Sequence, residues 1–175
     1  MSPRFYLSVP RTPGRRQDLC PKFISRGAIR RTGMDGCVFC RVMSGELRGY
    51  IVYRDQLVMA FLDAYPLAEG HTLVVPRRHV QRFEDLTEEE ACALSRALLK
   101  VSKAISKAFE VDALTIGVND GPEAGQVVPH VHVHVIPRRQ GDGAGNLHAI
   151  FRNARRISSV DMDDVARRIS SNIEP

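Results

Sequence analysis

The decapeptide PHVHVHVIPR, residues 129–138, alternates His130, His132 and His134 with Val131, Val133 and Val135, and its reading decides the fold. Strict alternation is the period of a β-strand. The valines would share one face, turned to a core, and the imidazoles the other, successive rings roughly 6.6 Å apart. Half of the chain's six histidines lie in this run. Three imidazoles on one strand face make a poor core, because each buried ring nitrogen needs a partner. The face is therefore expected to do chemistry. Neutral imidazole is a common metal ligand, yet side chains at i and i+2 on a flat strand reach one ion with difficulty at Zn–N distances of about 2.0 Å. Nucleophilic or acid–base chemistry on phosphorus or carbon is the second reading, since imidazole attacks when its other nitrogen is held by an acceptor.

Working outward, residues 113–120, ALTIGVND, read as a strand that would pair antiparallel with the histidine strand, taken to begin near Val127. The turn between them, NDGPEAGQ, favours phosphate as the substrate. Asn119 and Gln126 offer amide donors, while Gly121 and Gly125 permit conformations in which backbone N–H groups converge on an anion. Upstream, residues 50–54 and 57–62 read as two strands turning at Asp55 and Gln56, and residues 71–76, HTLVVP, as a third, stopped by Pro76. From Thr87 the chain carries a capping box with Glu90 and then Ala91, Leu94, Leu98, Val101, Ile105 and Ala108 at helical spacing. Residues 161–169 suit a short closing helix, with Met162, Val165, Ala166 and Ile169 on one side. The order implies an α+β domain: a mostly antiparallel five-stranded sheet, one long helix and a short C-terminal helix.

A chain of 175 residues, 43% hydrophobic, is long enough for one domain with a real core. No run of about 18 apolar residues occurs, so no membrane partner is expected. The net charge of +5 is concentrated in residues 1–34, which hold eight Arg/Lys against a single acid, Asp18. Nucleic acid is accordingly not the expected partner, because the basic pI belongs to the head and not to the domain. Residues 1–34 are read as a disordered extension and residues 35–175 as the domain. The head lacks the apolar stretch of a secretory signal. An intracellular, cytoplasmic location is favoured, and the arginine-rich head keeps a mitochondrial one open. Without a secretory signal, the four cysteines (Cys20, Cys37, Cys40, Cys92) point to thiol or metal chemistry more than to a disulfide framework, with Cys92 a small core residue.

The run His130-Val-His132-Val-His134-Val-Ile136 resembles the motif of the histidine triad (HIT) family of nucleotide hydrolases and transferases, His-φ-His-φ-His-φ-φ with φ hydrophobic. The stretches AFLDAYPLAEGHTLVVPRRH, 60–79, and DGPEAGQ, 120–126, are similar to that family too. The resemblance covers roughly residues 37–157 and implies a HIT-like fold. It further implies that His132 is the nucleophile attacking an α-phosphorus to form a nucleotidyl-histidine intermediate. His71 and His134 would then lie near the phosphates, Asn119 and Gln126 would donate hydrogen bonds, and Asp63 would hold ribose hydroxyls. One departure stands out: Val127 follows the loop Gln126 where the family often has Ser or Thr.

Cys37 and Cys40, in CVFC, have the spacing to grip one ion, but two ligands do not complete a tetrahedral site. Some microbial-type family members add the His of the PRRH segment and the first triad histidine, here His79 and His130, to bind structural zinc. The resemblance thus implies a Cys2His2 site, no organic cofactor, a purine nucleotide substrate and a homodimer. RFEDL, DGPEAGQ and HVHVHVIPR look like the dinucleoside-polyphosphate hydrolase branch. C-x-x-C, Asp63 and GHTLVVPRRH look like the phosphoramidase branch, so the leaving group stays open. A zinc-stapled nucleotide- or partner-binding module with little turnover is the alternative.

Overall fold

In the computed structural model, which describes residues 36–146 and 159–173, Asp55 builds the first hairpin. Its Oδ1 accepts hydrogen bonds from the backbone N–H groups of Leu57 and Val58 at 2.9 and 2.7 Å, and its Oδ2 accepts from the Tyr53 hydroxyl at 2.7 Å. The carboxylate so satisfies the amides that a tight turn leaves unpaired. Strand β1 (Ile51–Arg54) thereby folds back on β2 (Val58–Leu62), which pairs with β3 (Thr72–Pro76). Strands β4 (Ala113–Gly117) and β5 (Val133–Arg138) complete a five-stranded sheet of order β1-β2-β3-β5-β4, antiparallel at every pairing. The expected α+β class and antiparallel sheet are present, and β5 sits between β3 and β4.

Helix α2 (Glu88–Phe109) carries the expected capping box. Thr87 Oγ1 accepts from the Glu90 amide at 3.2 Å, and a Glu90 carboxylate oxygen accepts from the Thr87 amide at 2.9 Å. Its packed face is rotated from the sequence expectation: Ala93, Leu94, Ala97, Val101 and Ile105 are buried, whereas Ala91 and Cys92 are half-buried and Ala108 is exposed. The small residues Ala93 and Ala97 permit close approach to the sheet, where Val58, Ala60, Val74, Val131, Val133 and Val135 complete that core. The opposite face of β2 and β3 buries Met59, Phe61, Leu73 and Val75 against a short helix, α1 (Val38–Met43), that the sequence pattern did not suggest. Strands covered on both faces read as continuous apolar runs, as VMAFL and TLVVP do.

The histidine strand starts later than expected. The antiparallel register sets Val74 opposite Val133, so its continuation would place Pro76 opposite Val131. Proline has no N–H to give to the Val131 carbonyl, the Pro76 carbonyl accepts from His130 Nε2 at 2.9 Å, and the Val131 N–H donates to Val80 O at 2.7 Å. His130 therefore lies in a bend, its N–H donating to Val128 O at 2.8 Å, His132 lies just before β5, and His134 lies in the ladder.

The chain divides into two units after Arg139. In the second, helix α3 (Ser159–Ser170) matches the expected closing helix, with Met162, Val165 and Ile169 exposed. The expected extension 1–34 and its boundary with the domain lie outside the described residues. Among the described residues no helix is long and apolar enough to cross a membrane.

Candidate active site and metal centre

Two constellations meet at the approach to β5. In the first, Cys37 at the N-cap of α1 and Cys40 one turn later present both thiols to His79, on the segment after β3, and to His130. Cys37 Sγ lies 3.3 Å and Cys40 Sγ 3.6 Å from His130 Nδ1. Cys40 Sγ is 3.5 Å from His79 Nδ1, and the two imidazole Nδ1 atoms are 3.3 Å apart. A tetrahedral ion with Zn–S of about 2.3 Å and Zn–N of about 2.05 Å sets sulfur–nitrogen separations of about 3.6 Å and nitrogen–nitrogen separations of about 3.3 Å. The four observed separations lie within about 0.3 Å of the values for that geometry, and all four donor atoms lie within 4.8 Å of one another.

Their protonation fits it as well. His130 Nε2 donates to Pro76 O at 2.9 Å, which leaves the Nδ1 lone pair facing the thiols. Burial pushes the His130 pKa down to about 4, so the ring is neutral. Burial, with Cys37 beside it, pushes the Cys40 thiol up to about 12. A divalent cation would reverse that second tendency by stabilising the thiolates. Cys37, Cys40 and His130 are buried and His79 is half-buried.

The second constellation joins His71, His132, His134 and Asp63. Its tautomers follow from groups that can only donate or only accept. The Leu67 N–H donates to His71 Nδ1 at 3.2 Å, so His71 carries its proton on Nε2. That Nε2–H donates to His134 Nδ1 at 2.9 Å, which puts the His134 proton on Nε2. His132 Nδ1 meets the His130 carbonyl oxygen at 2.6 Å and must donate, which frees the Nε2 lone pair. The His132 and His134 ring centroids are 4.9 Å apart, so a nucleophilic nitrogen and a fixed N–H donor are neighbours. Burial lowers the His71 pKa against the pull of Asp63, and burial with His132 and His71 nearby lowers that of His134 to about 4. Both rings are neutral near pH 7.

Asp63 stands just past β2 with Oδ2 3.6 Å from His71 Nδ1, while Oδ1 accepts from the Tyr65 amide at 2.9 Å. Glycine is required at 70: φ is +85°, and a Cβ there would strike the Phe109 ring. The turn 119–126 is built on Gly121 (φ +101°) and Gly125 (φ +87°), and a Cβ on Gly121 would collide with the Arg82 guanidinium. Gln126 fastens this turn. Its Oε1 accepts from the Gly121 amide and its Nε2 donates to Gln81 O, both at 2.9 Å, which leaves one N–H for a ligand. Asp120 adds an ion pair to Arg82 at 3.5 Å and accepts from the Phe83 amide at 3.0 Å. Asn119 is exposed at the end of β4, and Val127 is 90% exposed.

The structure thus brings Asp63, His71, His132 and His134 together and, separately, Cys37, Cys40, His79 and His130. Sequence reasoning missed Phe39, whose ring lies edge-on to His130 and His132 at centroid distances of 6.0 and 5.1 Å. Its only signal was its place inside CVFC. The Leu67 amide was also missed, since a backbone donor has no sequence signature.

An antiparallel five-stranded sheet that gathers His71, His132 and His134 beside a Cys2His2 cluster defines an α+β protein of the histidine-cluster class. The chain belongs to the HIT domain family, whose model matches residues 44–141. An uncharacterised HIT-like protein of Methanocaldococcus jannaschii is 39% identical over 133 residues, 76% of this chain and 98% of that one. A bis(5'-nucleosyl)-tetraphosphatase (asymmetrical) of Schizosaccharomyces pombe is 46% identical over 96 residues, 55% of this chain and 53% of its own. Among solved structures, a HIT family protein of Bacillus subtilis superposes with a TM-score of 0.73 at 32% identity, covering 81% of this chain and 99% of that chain. A zinc-bound histidine triad family protein of Mycobacterium smegmatis has a TM-score of 0.60 at 35% identity, covering 63% and 81%.

Proposed function

We propose that the protein hydrolyses a purine nucleotide at its α-phosphate, with a nucleoside phosphoramidate or a dinucleoside polyphosphate as substrate. The observation that carries this reading is the His132 tautomer: Nδ1–H is held by the His130 carbonyl, so Nε2 is free to attack beside the His134 N–H donor. The name of the fission-yeast relative supports the substrate class.

In the first step His132 Nε2 bonds to phosphorus as the bond to the leaving group breaks. The N–H of His134, with Asn119, Gln126 and the turn amides, meets the charge on the phosphoryl oxygens. In the second step water attacks phosphorus, the P–N bond breaks, and the mononucleotide leaves. Asp63 Oδ2 has acceptor capacity for ribose hydroxyls. Cys37, Cys40, His79 and His130 would hold zinc, a reading supported by their tetrahedral spacing and by the zinc-bound relative. With all four positions filled by protein the ion would be structural. A homodimer is supported by β4, which is an edge strand among the described residues with Ile116 exposed, an edge on which a second copy could pair.

Val127 favours a second reading, a zinc-stapled nucleotide- or partner-binding module with little turnover, because a hydroxyl donor is missing where phosphate would sit. Assays with adenosine phosphoramidate and a diadenosine polyphosphate separate the two. Turnover by wild type that is lost in His132→Ala supports hydrolysis through this residue. Turnover unaffected by the substitution refutes it, and nucleotide binding without turnover by wild type favours the module.

A further inference from the structure

His130 belongs to both constellations. Its Nδ1 faces the two thiols and His79, its Nε2 is anchored on Pro76 O, and its own carbonyl oxygen takes the Nδ1–H of His132 at 2.6 Å. A second link runs through α1. Phe39, between the two cysteines, places its ring 5.1 Å from the His132 centroid, and it is 8% exposed. A helix of six residues has no stability of its own, so Phe39 is kept against His132 by its packing on Phe61, Leu73 and Val75 together with the hold on the two cysteines that flank it. We propose that the metal centre positions the nucleophile. An ion bound by Cys37, Cys40, His79 and His130 fixes the His130 carbonyl and the Phe39 ring, and these two hold His132 in the Nδ1–H tautomer with Nε2 presented for attack. His130 and Phe39 are positioning residues in this account, since neither touches the reacting phosphorus.

The inference rests on the zinc and nucleophile assignments above, and its test does not depend on turnover. Nitrogen-15 NMR of the full chain reports directly which His132 ring nitrogen carries the proton. In the zinc-loaded protein one sharp Nδ1–H signature is expected for His132. Chelation, or Cys37→Ser, should replace it with an exchange-averaged signal from both tautomers. In parallel kcat should fall about tenfold or more with KM little changed, the scale seen when an orienting partner is lost. Phe39→Leu keeps all four metal donors. At full zinc content it should give a weaker form of the same NMR change, and it decides the matter if the stripped chain unfolds. A folded, metal-free protein with the loaded His132 signature overturns the proposal, as does an unchanged signature in zinc-loaded Phe39→Leu. A chain that hydrolyses no nucleotide defeats the proposed function alone, because the tautomer measurement still reads the coupling.

Discussion

Acidification should weaken the fold through His134, and the size of the effect follows from its surroundings. Burial, with His132 and His71 nearby, moves its pKa from 6.5 down to about 4. Above pH 6.5 the ring is neutral in both folded and unfolded chains and stability is unaffected. As pH falls from 6.5 toward 4 the unfolded chain takes up a proton that the native ring refuses, so stability is lost across that window. The complete shift is worth at most about 3.4 kcal/mol, and about 2 kcal/mol of it is lost by pH 5. His134 is half-buried, and solvent screening reduces the expected loss at pH 5 to about 1 kcal/mol. Depression of His71 adds in the same direction. Urea unfolding at saturating zinc, near pH 7.5 and again near pH 5, measures the loss. His134→Asn removes the titrating ring, so its pH slope should be shallower than that of wild type by about 1 kcal/mol across the window. Metal binding is itself pH-dependent but common to both proteins, so the difference between slopes isolates His134. Identical slopes would refute the reasoning.

Three further outcomes are expected. Gly70→Ala, which places a Cβ into the Phe109 ring at a φ of +85°, should lower stability by about 2–3 kcal/mol in thermal or urea melts. Arg78→Ala removes a two-point contact to Glu90 at 2.7 Å for each bond. Burial raises the Glu90 carboxyl, but Arg78 and the Thr87 amide outweigh it and hold its pKa below the usual range; the substitution should cost about 1–3 kcal/mol near neutral pH. The cost should shrink as acid protonates the carboxylate, which paired melts at neutral and acid pH would show. Val127→Ser restores a hydroxyl beside Gln126. Under the hydrolase reading it should raise kcat/KM, by up to about tenfold if the new bond is worth about 1.4 kcal/mol in the transition state; an unchanged value places that side chain away from phosphate.

The sheet and α2 were legible because their signals are local. The capping box at Thr87 and Glu90 and the alternation of Val131, Val133 and Val135 are contained within short segments, and the core honours them. Helix α1 was not legible, since six residues hold no helical periodicity and its burial comes from β2 and β3. The rotation of the α2 face toward Ala93 and Ala97 reflects the close sheet beneath it, a tertiary demand invisible to spacing. Of the site, the residue types were readable. The distribution of protons was not, because it depends on the Leu67 amide and on the carbonyls of Pro76 and His130.

One alternating motif can supply two centres because the ladder breaks within it. Had β5 begun at His130, the three imidazoles would stand in a row at strand spacing, too far apart for one ion and with no reason to differ. Pro76 prevents this by offering no N–H to the Val131 carbonyl opposite it, while its own carbonyl takes the His130 Nε2–H and the Val131 N–H donates to Val80 O. The segment leaves the ladder there, and His130 meets the thiols on α1 while its carbonyl turns to His132. His134, still within β5 and opposite Leu73, stays in reach of His71 at the start of β3. The Val–His alternation therefore sets which face each ring occupies, and a proline on the neighbouring strand sets which centre it joins. Restoring an N–H at that position, as in Pro76→Ala, should extend the ladder and draw His130 from the cysteines. Zinc content and the His132 tautomer would then change together, whereas a zinc site unaffected by a lengthened β5 would show that the break in the ladder is not what separates the two centres.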